Sequence, residues 1–408
     1  MLRPRRRAAG LAFGAILLFV VGTSVQAGWL LVLSSVLLGA CVAGALLPIR
    51  IVRKIDVERR APPRVSQGDE VAVDLIAVNC GRGIKLGLEV EDRHVAAVRV
   101  AIPALGPGER VVIGTARRAA RRGRNESTSV TVRSAAPFGV AERQRTVVVP
   151  GTTLVHPKVV RLGPLPMIDA LPTHEHAIHT APRRGTGPEY LSIREYRTGD
   201  SMRHVHWPST ARHDALMVRE FEQERTRRLA IVVDTSADAG EEDTPLDSCC
   251  SVAASVAFAA LGRGRGVRLL AARGGRLEVL ARAEPPRILE WLAELRPFGG
   301  LALADVLREL GPHLRGVETL LVVLPTWRAN ATGGFVDAVS ALCGNLPRVT
   351  LVLVDAESFE PDRRAPALGS EEVDRLELAA NERGASVYRL RAGEDLASCL
   401  SKPYVRAD

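Results

Sequence analysis

The segment Leu229-Ala-Ile-Val-Val-Asp-Thr-Ser-Ala-Asp238 joins five apolar residues to a polar tail. A short apolar run rich in Val and Ile is typical of a strand that is buried on both faces of a sheet. Asp234, Ser236 and Asp238 follow in alternate positions, where the strand gives way to a loop. The segment therefore predicts a buried strand with three oxygen-bearing side chains beyond its carboxyl end.

The residues beyond this segment alternate between strand and helix patterns. Further buried strands are predicted at residues 267–272, 319–324 and 349–354. Apolar periodicity predicts helices at residues 246–261, 286–295, 302–314, 335–342 and 371–383. Continuous apolar strands between helices indicate a parallel sheet covered on both faces. Residues 226–408 are thus predicted to form a doubly wound α/β domain, with any site at the carboxyl ends of its strands.

Residues 55–160 show a different pattern, in which apolar residues alternate with polar ones. Period-two alternation predicts half-buried strands. Turn-forming segments separate these strands, and no helical period is present; the turns lie at residues 79–81, 105–108 and 136–139. A β-sandwich of about one hundred residues is the predicted outcome.

The amino-terminal residues 1–54 are predicted to form a transmembrane hairpin. Residues 8–25 and 29–49 are two apolar runs without a charge, each close to the ~20 residues that cross a bilayer as a helix. A cleaved signal peptide is the alternative for the first run, but the second run follows at once. Basic residues flank the pair and are absent from the turn, which predicts cytoplasmic termini and cytoplasmic soluble domains. They are Arg3, Arg5, Arg6, Arg7, Arg50, Arg53 and Lys54.

The net charge of +9 does not indicate a nucleic-acid partner. Nine basic and two acidic residues fall within positions 1–60, which gives +7 there and leaves +2 for the remainder. Nucleic-acid binding requires basic residues clustered on a folded domain. The excess charge therefore belongs to membrane topology. The six cysteines lack zinc-like spacing and are expected to be reduced, buried thiols.

Residues 161–225 are predicted to be a connector that packs across the following domain. The connector carries a dense set of Gly, Arg, Glu and aromatic residues, and its charged side chains can pair with each other or with a partner. A solvated charged surface is the alternative. The candidate interaction residues are Gly185, Gly187, Glu189, Tyr190, Arg194, Glu195, Tyr196, Gly199, Asp200, Arg203, His206, Trp207, Ala211, Arg212, Arg219 and Glu220.

This set of residues, continued to Asp238, resembles the signature of the bacterial family catalogued as domain of unknown function 58. The resemblance implies a membrane-anchored protein with a von Willebrand factor A-like domain. It also implies a MoxR-type AAA+ ATPase as partner, because relatives of the family resemble components of systems built around such an ATPase. His204 and His206 precede Trp207. His206-Trp207 replaces a segment that serves packing in the family, so the expected role of the two histidines is structural.

The resemblance also places a metal-ion-dependent adhesion motif, Asp-x-Ser-x-Ser, on Asp234, Ser236 and Asp238. Oxygen ligands of this kind suit Mg²⁺. The chain departs from the motif at its third residue, Asp238, at residues 299–302, which lack a threonine, and at residues 324–327, which lack an aspartate. The alternative is that Asp234 and Ser236 satisfy backbone donors in a turn. No cofactor is certain, and Mg²⁺ is the one candidate.

Two functions remain open from the sequence. The first is a non-enzymatic, membrane-anchored assembly component that binds a protein partner. The second is a Mg²⁺-dependent hydrolase that uses the Asp234 cluster to activate water. A zinc site at His174, His176 and His179 is disfavoured, because prolines bracket these residues and no fourth ligand is evident.

Overall fold

The structure, a computed structural model, describes residues 2–4, 6–169, 184–197, 202, 205–213, 215–222, 228–236, 244–281, 284–298, 302–327, 333–359, 368 and 370–401. The chain divides into two units, residues 1–158 and 159–408. The structure confirms the prediction of a mixed α/β protein with an apolar helix near its amino terminus. The two units are described in turn.

Two apolar helices begin the first unit, α1 (Arg6–Val25) and α2 (Gly28–Ile51). The hydroxyl of Ser34 on α2 donates a hydrogen bond of 2.9 Å to the carbonyl of Ala15 on α1. A Cβ at Gly22 would lie 3.0 Å from the Cβ of Leu30, so the helices approach closely where the chain turns. The two helices therefore run antiparallel.

Among the described helices, Gly28–Ile51 is long and apolar enough to cross a membrane and is largely exposed. Ala9–Val25 is a shorter apolar helix. Pro245–Gly262 also has suitable length and composition, but it is mostly buried within the second unit and is a core helix. The amino-terminal helices thus indicate membrane association by length, composition and exposure.

Nine strands of the first unit form two sheets. One sheet has the order β1-β9-β8-β5-β6, with β3 paired to β9, and the other has the order β2-β4-β7. The strands are β1 (Leu2–Pro4), β2 (Ile55–Arg60), β3 (Arg64–Ser66), β4 (Glu70–Asn79), β5 (Lys85–Asp92), β6 (Val98–Leu105), β7 (Arg110–Arg118), β8 (Gly123–Ser134) and β9 (Ala141–His156). We call these strands the two-sheet unit.

A shared apolar core lies between the two sheets, because alternate residues of each strand point inward. Leu75 of β4 and Val130 of β8 are fully buried in this core. The last turn of α2 joins it through Ile51, with Leu47 packed against the cluster. The carboxyl end of the apolar helix is therefore part of the core of the two-sheet unit.

Asp92 is a buried carboxylate held by two arginines. Arg59 Nη2 lies 2.6 Å from Oδ1 and Arg117 Nη1 lies 2.7 Å from Oδ2, and all three side chains are almost fully buried. Burial by itself raises the pKa of Asp92, but the hydrogen bonds and charges of Arg59 and Arg117 outweigh it and keep the pKa below its ordinary value. Asp92 is thus an ionised link between β2, β5 and β7.

The second unit is built on a six-stranded sheet of order β14-β13-β12-β15-β16-β17. All neighbouring pairs are parallel except β13 and β14. This is the doubly wound order, in which the direction of winding reverses between β12 and β15. The strands are β12 (Arg228–Val233), β13 (Gly266–Arg273), β14 (Arg276–Ala281), β15 (Val317–Pro325), β16 (Arg348–Val354) and β17 (Ser386–Leu390).

Helices cover both faces of this sheet and form two separate cores. One face packs against α3 (Pro166–Asp169), α5 (Pro245–Gly262), α6 (Pro285–Glu294) and α10 (Leu396–Ser401). The other packs against α7 (Leu303–Glu309), α8 (Gly333–Asn345) and α9 (Ser370–Glu382). Short 3₁₀ helices lie at Gly311–His313 and Ala356–Phe359. The helix predicted at residues 302–314 is therefore wrong in its length, because Pro312 lacks the N–H that would continue it.

Replacing Asp92 by Asn tests the buried charge cluster. The amide keeps the shape of the side chain but leaves Arg59 and Arg117 buried without a counter-charge, and we expect the free energy of unfolding to fall by about 3 to 5 kcal/mol. Denaturant unfolding of the full chain in detergent, followed by circular dichroism, measures the loss. Asp69→Asn, at an exposed position of the same unit, is the control and should change little. Equal effects of the two variants would contradict the assignment.

Candidate functional site

The carboxyl end of β12 places Asp234 at the point where the winding of the sheet reverses. The backbone N–H of Asp234 continues the strand ladder by donating to the carbonyl of Val323 on β15, at 2.9 Å. Its side chain is buried. Ligands of open α/β sheets bind at such a position, outside the carboxyl ends of the strands. The candidate site predicted from the sequence would thus lie beside Asp234, at the carboxyl end of β12.

The carboxylate of Asp234 is engaged by Ser236. The Ser236 N–H donates to Oδ1 and the Ser236 hydroxyl donates to Oδ2, each at 2.9 Å. This is a local turn in which an Asp side chain accepts from the backbone two residues later. Thr235, between them, points away and donates to the carbonyl of Ala272 on β13 at 2.8 Å. Asp238, the third residue of the predicted cluster, lies outside the described residues.

The neighbouring loops do not complete a cation site within the part of the chain that the structure describes. After β15, the hydroxyl of Thr326 accepts a hydrogen bond of 3.0 Å from the N–H of Ala356. The Trp327 side chain is fully buried. Ala302, which precedes α7, has no oxygen in its side chain, and residues 299–301 lie outside the description. No group of three or more His, Cys, Asp or Glu residues that could hold a metal occurs in the described part. Mg²⁺ prefers near-octahedral oxygen ligands, and Asp234 and Ser236 are the two members of the predicted set that the structure describes.

The signature residues of the connector come together in a two-stranded antiparallel sheet. Its strands are β10 (Arg184–Glu195) and β11 (Met217–Glu222). The pairing is regular from Ser192 to Glu195 and shifts between Gly185 and Tyr190, so Gly187 and Glu189 lie in an irregular stretch. The sheet pairs Arg194 with Val218 and sets Arg219 opposite Ile193 and Glu220 opposite Ser192. Residues about 25 positions apart in the signature thus become neighbours.

A short helix, α4 (Trp207–His213), is joined to the edge of this sheet. Val205 forms a bridge with Val218, and the His206 N–H donates to the carbonyl of Met217 at 2.8 Å. The Tyr196 N–H donates to the carbonyl of Leu216 at 2.7 Å. Glu195, Tyr196, His206, Trp207, Ala211 and Arg212 are consequently grouped around one end of β10 and β11. Gly199, Asp200, Arg203 and the histidines at 174, 176, 179 and 204 lie outside the described residues.

His206 opens α4, and its imidazole is hydrogen-bonded within the first turn of that helix. Its Nδ1 lies 2.8 Å from the hydroxyl of Ser209 and accepts from the Ser209 N–H at 3.3 Å. The His206 carbonyl accepts from the Thr210 N–H at 3.0 Å. The imidazole thus satisfies the free Ser209 N–H of the first helical turn, which is the role of an N-cap side chain. The structural role that the sequence predicts for His206 agrees with this geometry.

Trp207, one of the candidate interaction residues, has a side chain that is 63% exposed. Met202, on the approach to α4, is also exposed. An exposed tryptophan offers a large apolar surface to another molecule. Trp207 is therefore better placed for binding than for the core.

A cluster of buried charges that the sequence analysis missed lies between β16, β17 and α9. Arg389 donates to Asp355 Oδ2 at 2.8 Å and to Asp374 Oδ1 at 3.1 Å. Asp355 Oδ1, Glu377 Oε2 and Arg389 Nε are buried and have no hydrogen-bond partner among the described residues. Asp355 directly follows β16, and its place after an apolar strand was the one available sequence signal.

Burial gives Glu377 an unusual affinity for a proton. Desolvation raises the pKa of Glu377 to about 7, the charge of Arg389 opposes this rise, and the charge of Asp374 adds to it. The protonated carboxyl is therefore favoured in the folded protein up to near-neutral pH. A buried, raised-pKa carboxyl occurs in active sites and in structural clusters alike. The described residues contain no group of three or more His, Cys, Asp or Glu that could hold a metal ion there.

The family model for a protein of unknown function, DUF58, matches residues 192–288. The match begins near the end of β10 and reaches α6, so it includes α4, β12 and Asp234. The chain is also similar to the uncharacterized protein YeaD of Bacillus subtilis (strain 168), with 29% identity over 157 residues, which is 36% of this chain and 36% of that protein. The chain thus spans about a third of the length of this curated relative.

Solved structures give only distant likenesses. An exo-β-N-acetylglucosaminidase from Vibrio harveyi aligns with a TM-score of 0.22 and 8% identity, over 82% of this chain and 75% of that chain. A cycloisomaltooligosaccharide glucanotransferase from Paenibacillus sp. aligns with a TM-score of 0.15 and 9% identity, over 83% and 53%. At such scores neither likeness indicates a shared fold or activity.

Magnesium should not stabilise the protein through Asp234. A cation that binds only the folded state raises the unfolding midpoint with concentration, and both carboxylate oxygens of Asp234 already accept hydrogen bonds from Ser236. We therefore expect the thermal midpoint to be the same with and without millimolar Mg²⁺, in the native chain and in Asp234→Ala alike. Asp337→Ala, at an exposed position of the same unit, is the control. A Mg²⁺-dependent rise that is lost only in Asp234→Ala would contradict this expectation.

The stability of the second unit should depend on pH through Glu377. The folded pKa of about 7 lies above the ordinary value of 4.5, so the stabilisation is complete below pH 4.5 and is lost as the pH rises through 7. At about 1.4 kcal/mol per pKa unit, the free energy of unfolding should fall by up to about 3 kcal/mol across this window. Glu377→Gln should remove this slope in denaturant unfolding, whereas Glu382→Gln, exposed on the same helix, should keep it. A slope that survives Glu377→Gln would assign the titration to another group.

Proposed function

We propose that the chain is a membrane-anchored, non-enzymatic interaction component that binds a protein partner through the signature region. In this proposal α1 and α2 form a transmembrane hairpin, and the second unit is a von Willebrand factor A-like domain. The exposed Trp207 is the observation that carries the proposal. The resemblance to the DUF58 family supplies a MoxR-type AAA+ ATPase as the partner class.

The anchor is supported by the arrangement of the amino-terminal helices. Leu17 and Phe19 on α1 and Val36 and Leu38 on α2 are all exposed. Exposed apolar side chains along two antiparallel helices are stable in lipid and unfavourable in water. The start of α1 and the end of α2 lie at the same end of the helix pair. Pro4, before α1, pairs with Ala141 of β9, and Gly44, near the end of α2, contacts the neighbouring Val140. Both ends of the hairpin therefore belong beside the two-sheet unit.

The orientation follows from the charges at these two ends. Basic residues precede α1 and follow α2. Positive charges are retained on the cytoplasmic side of bacterial membranes. We therefore place the two-sheet unit and the α/β unit in the cytoplasm. A cytoplasmic AAA+ ATPase could reach them there.

The signature region and the α/β sheet belong to the same unit of the chain. The doubly wound order and the antiparallel edge strand β14 fit the proposed von Willebrand A-like class. The turn at Asp234 is closed by its own hydrogen bonds. A partner would therefore be recognised through protein contacts at Trp207 and Met202 rather than through a shared metal ion. Tryptophan is the residue most enriched at the energetic centres of protein interfaces.

Removing the Trp207 indole should weaken binding of the partner without unfolding the protein. An interface hot spot contributes about 2 kcal/mol or more, which corresponds to roughly a thirtyfold loss of affinity. Trp207→Ala should therefore lose most of a co-expressed MoxR-type ATPase in pull-downs from solubilised membranes. Leu378→Ala, which removes an equally exposed apolar side chain from α9, should retain it.

The circular dichroism of Trp207→Ala should match that of the native chain, because the indole is exposed. Equal recovery of the ATPase by all three proteins would remove Trp207 from the interface. Failure of the native chain to recover any such ATPase would overturn the partner class itself.

A further inference from the structure

An exposed apolar rim lies beside the carboxyl-terminal half of α2. Phe138, in the turn that joins β8 to β9, is 52% exposed. Leu86 on β5 is 44% exposed. The two positions are close, because a Cβ at Gly87 would lie 3.0 Å from the Cβ of Ala136. We call Leu86 and residues 136–139 the apolar rim.

The rim is in contact with α2. A Cβ at Gly44 would lie 2.8 Å from Val140 Cγ2 and 3.6 Å from Phe138 Cβ, so only glycine allows this approach. On other faces of the same helix Val42 and Leu46 are exposed. The turn that carries Phe138 therefore packs against the Gly44 face of α2, and the exposed Val42 and Leu46 lie on the opposite face of the helix.

The pairing of α1 with α2 fixes the position of this contact along the two helix axes. Ser34 of α2 is hydrogen-bonded to Ala15 of α1. Ten residues further along α2 is Gly44, about 15 Å away at 1.5 Å per residue. The same distance back along antiparallel α1 reaches its basic start, near Arg6. The pairing of Pro4 with Ala141 also places the start of α1 beside Gly44, since Ala141 directly follows Val140, which Gly44 contacts.

We propose that the apolar rim inserts into the membrane surface, with Phe138 at the boundary between headgroups and acyl chains. This inference rests on the proposed anchoring by α1 and α2. Aromatic side chains are enriched at that boundary. Leu86 extends the inserted surface. Beyond Gly44 one face of α2 packs against the protein, where Pro48 is buried and Ile51 joins the core.

The charges around the rim match an anionic lipid surface. Arg50, Arg53 and Lys54 follow the apolar part of α2 and are exposed. Lys85, next to Leu86, is occupied by a hydrogen bond of 2.7 Å to the Arg50 carbonyl and ties β5 to the end of α2. Exposed basic residues beside an apolar insertion favour membranes with acidic headgroups. The two-sheet unit then contacts the membrane at a second place besides the helices, and this contact fixes the tilt of the unit on the bilayer.

Phe138→Trp, made in a Trp29→Phe background of the full chain, tests this insertion. The chain is reconstituted into vesicles that contain acidic lipids, with or without bromine on the acyl chains. We expect the indole introduced by F138W to be quenched by the brominated lipid and to be several-fold less sensitive to aqueous iodide than a matched control. The control is Val148→Trp in the same background; Val148 is exposed on β9, roughly 20 Å further along that strand.

Three results decide the outcome, each taken after subtracting the fluorescence of the Trp29→Phe parent. Quenching by brominated lipid for F138W and not for V148W supports the insertion. Equal iodide access for the two variants overturns it. Protection from iodide without quenching by lipid also overturns it, because a protein surface would then cover the rim.

Trp29, at the outer end of α2, separates this inference from the anchor. Its signal is the difference between the native chain and Trp29→Phe in the same vesicles. If brominated lipid quenches Trp29 but not the F138W indole, the helices are in the bilayer and the rim is not. If neither is quenched, the proposed anchor fails together with the insertion. The circular dichroism of F138W should equal that of the parent, since an exposed Phe tolerates an indole.

Discussion

Burial of β12 on both faces is the constraint on which the α/β unit depends. The strand has parallel neighbours on each side, and its residues alternate between two separate cores, with Ile231 in one and Val232 in the other. No polar side chain can be accommodated along such a strand without a partner. The polar residues therefore begin where the strand ends, at Asp234. The position of the candidate site thus follows from the packing of the sheet before any ligand is considered.

Buried charges are handled differently in the two units. In the two-sheet unit, Asp92 is neutralised by two arginines that are as buried as the carboxylate itself. In the α/β unit, Arg389 neutralises Asp355 and Asp374 but leaves Glu377 to be stabilised by protonation. An ion pair that is fully paired resists changes of pH, whereas a carboxyl desolvated without a full partner responds to them. The first arrangement holds strands together, and the second makes the stability of the α9 region depend on pH.

The sequence predicted the elements whose own residues carry a clear period, and it missed those that depend on neighbours. The strands near residues 229, 267, 319 and 349 were found because their apolar runs are continuous. Strand β17 has Arg389 near its centre, and its ion pairs with Asp355 and Asp374 make that residue acceptable there. Strands β10 and β11 were missed because their many charged and glycine positions lack alternation. The cluster of Asp355, Glu377 and Arg389 joins residues 12 to 34 positions apart, and spacing alone cannot reveal it.

The length of α2 shows how one element serves two environments. Its first part is exposed and apolar, whereas Gly44, Pro48 and Ile51 form a buried stripe toward its end. Only Val52, Arg53 and Lys54 separate the helix from β2, and Val52 is buried, so no flexible linker intervenes. A helix that is fixed in the core of a sheet pair transmits its own direction to those sheets. The two-sheet unit therefore cannot rotate freely about α2, and the same residues of its rim stay beside the apolar helix surface.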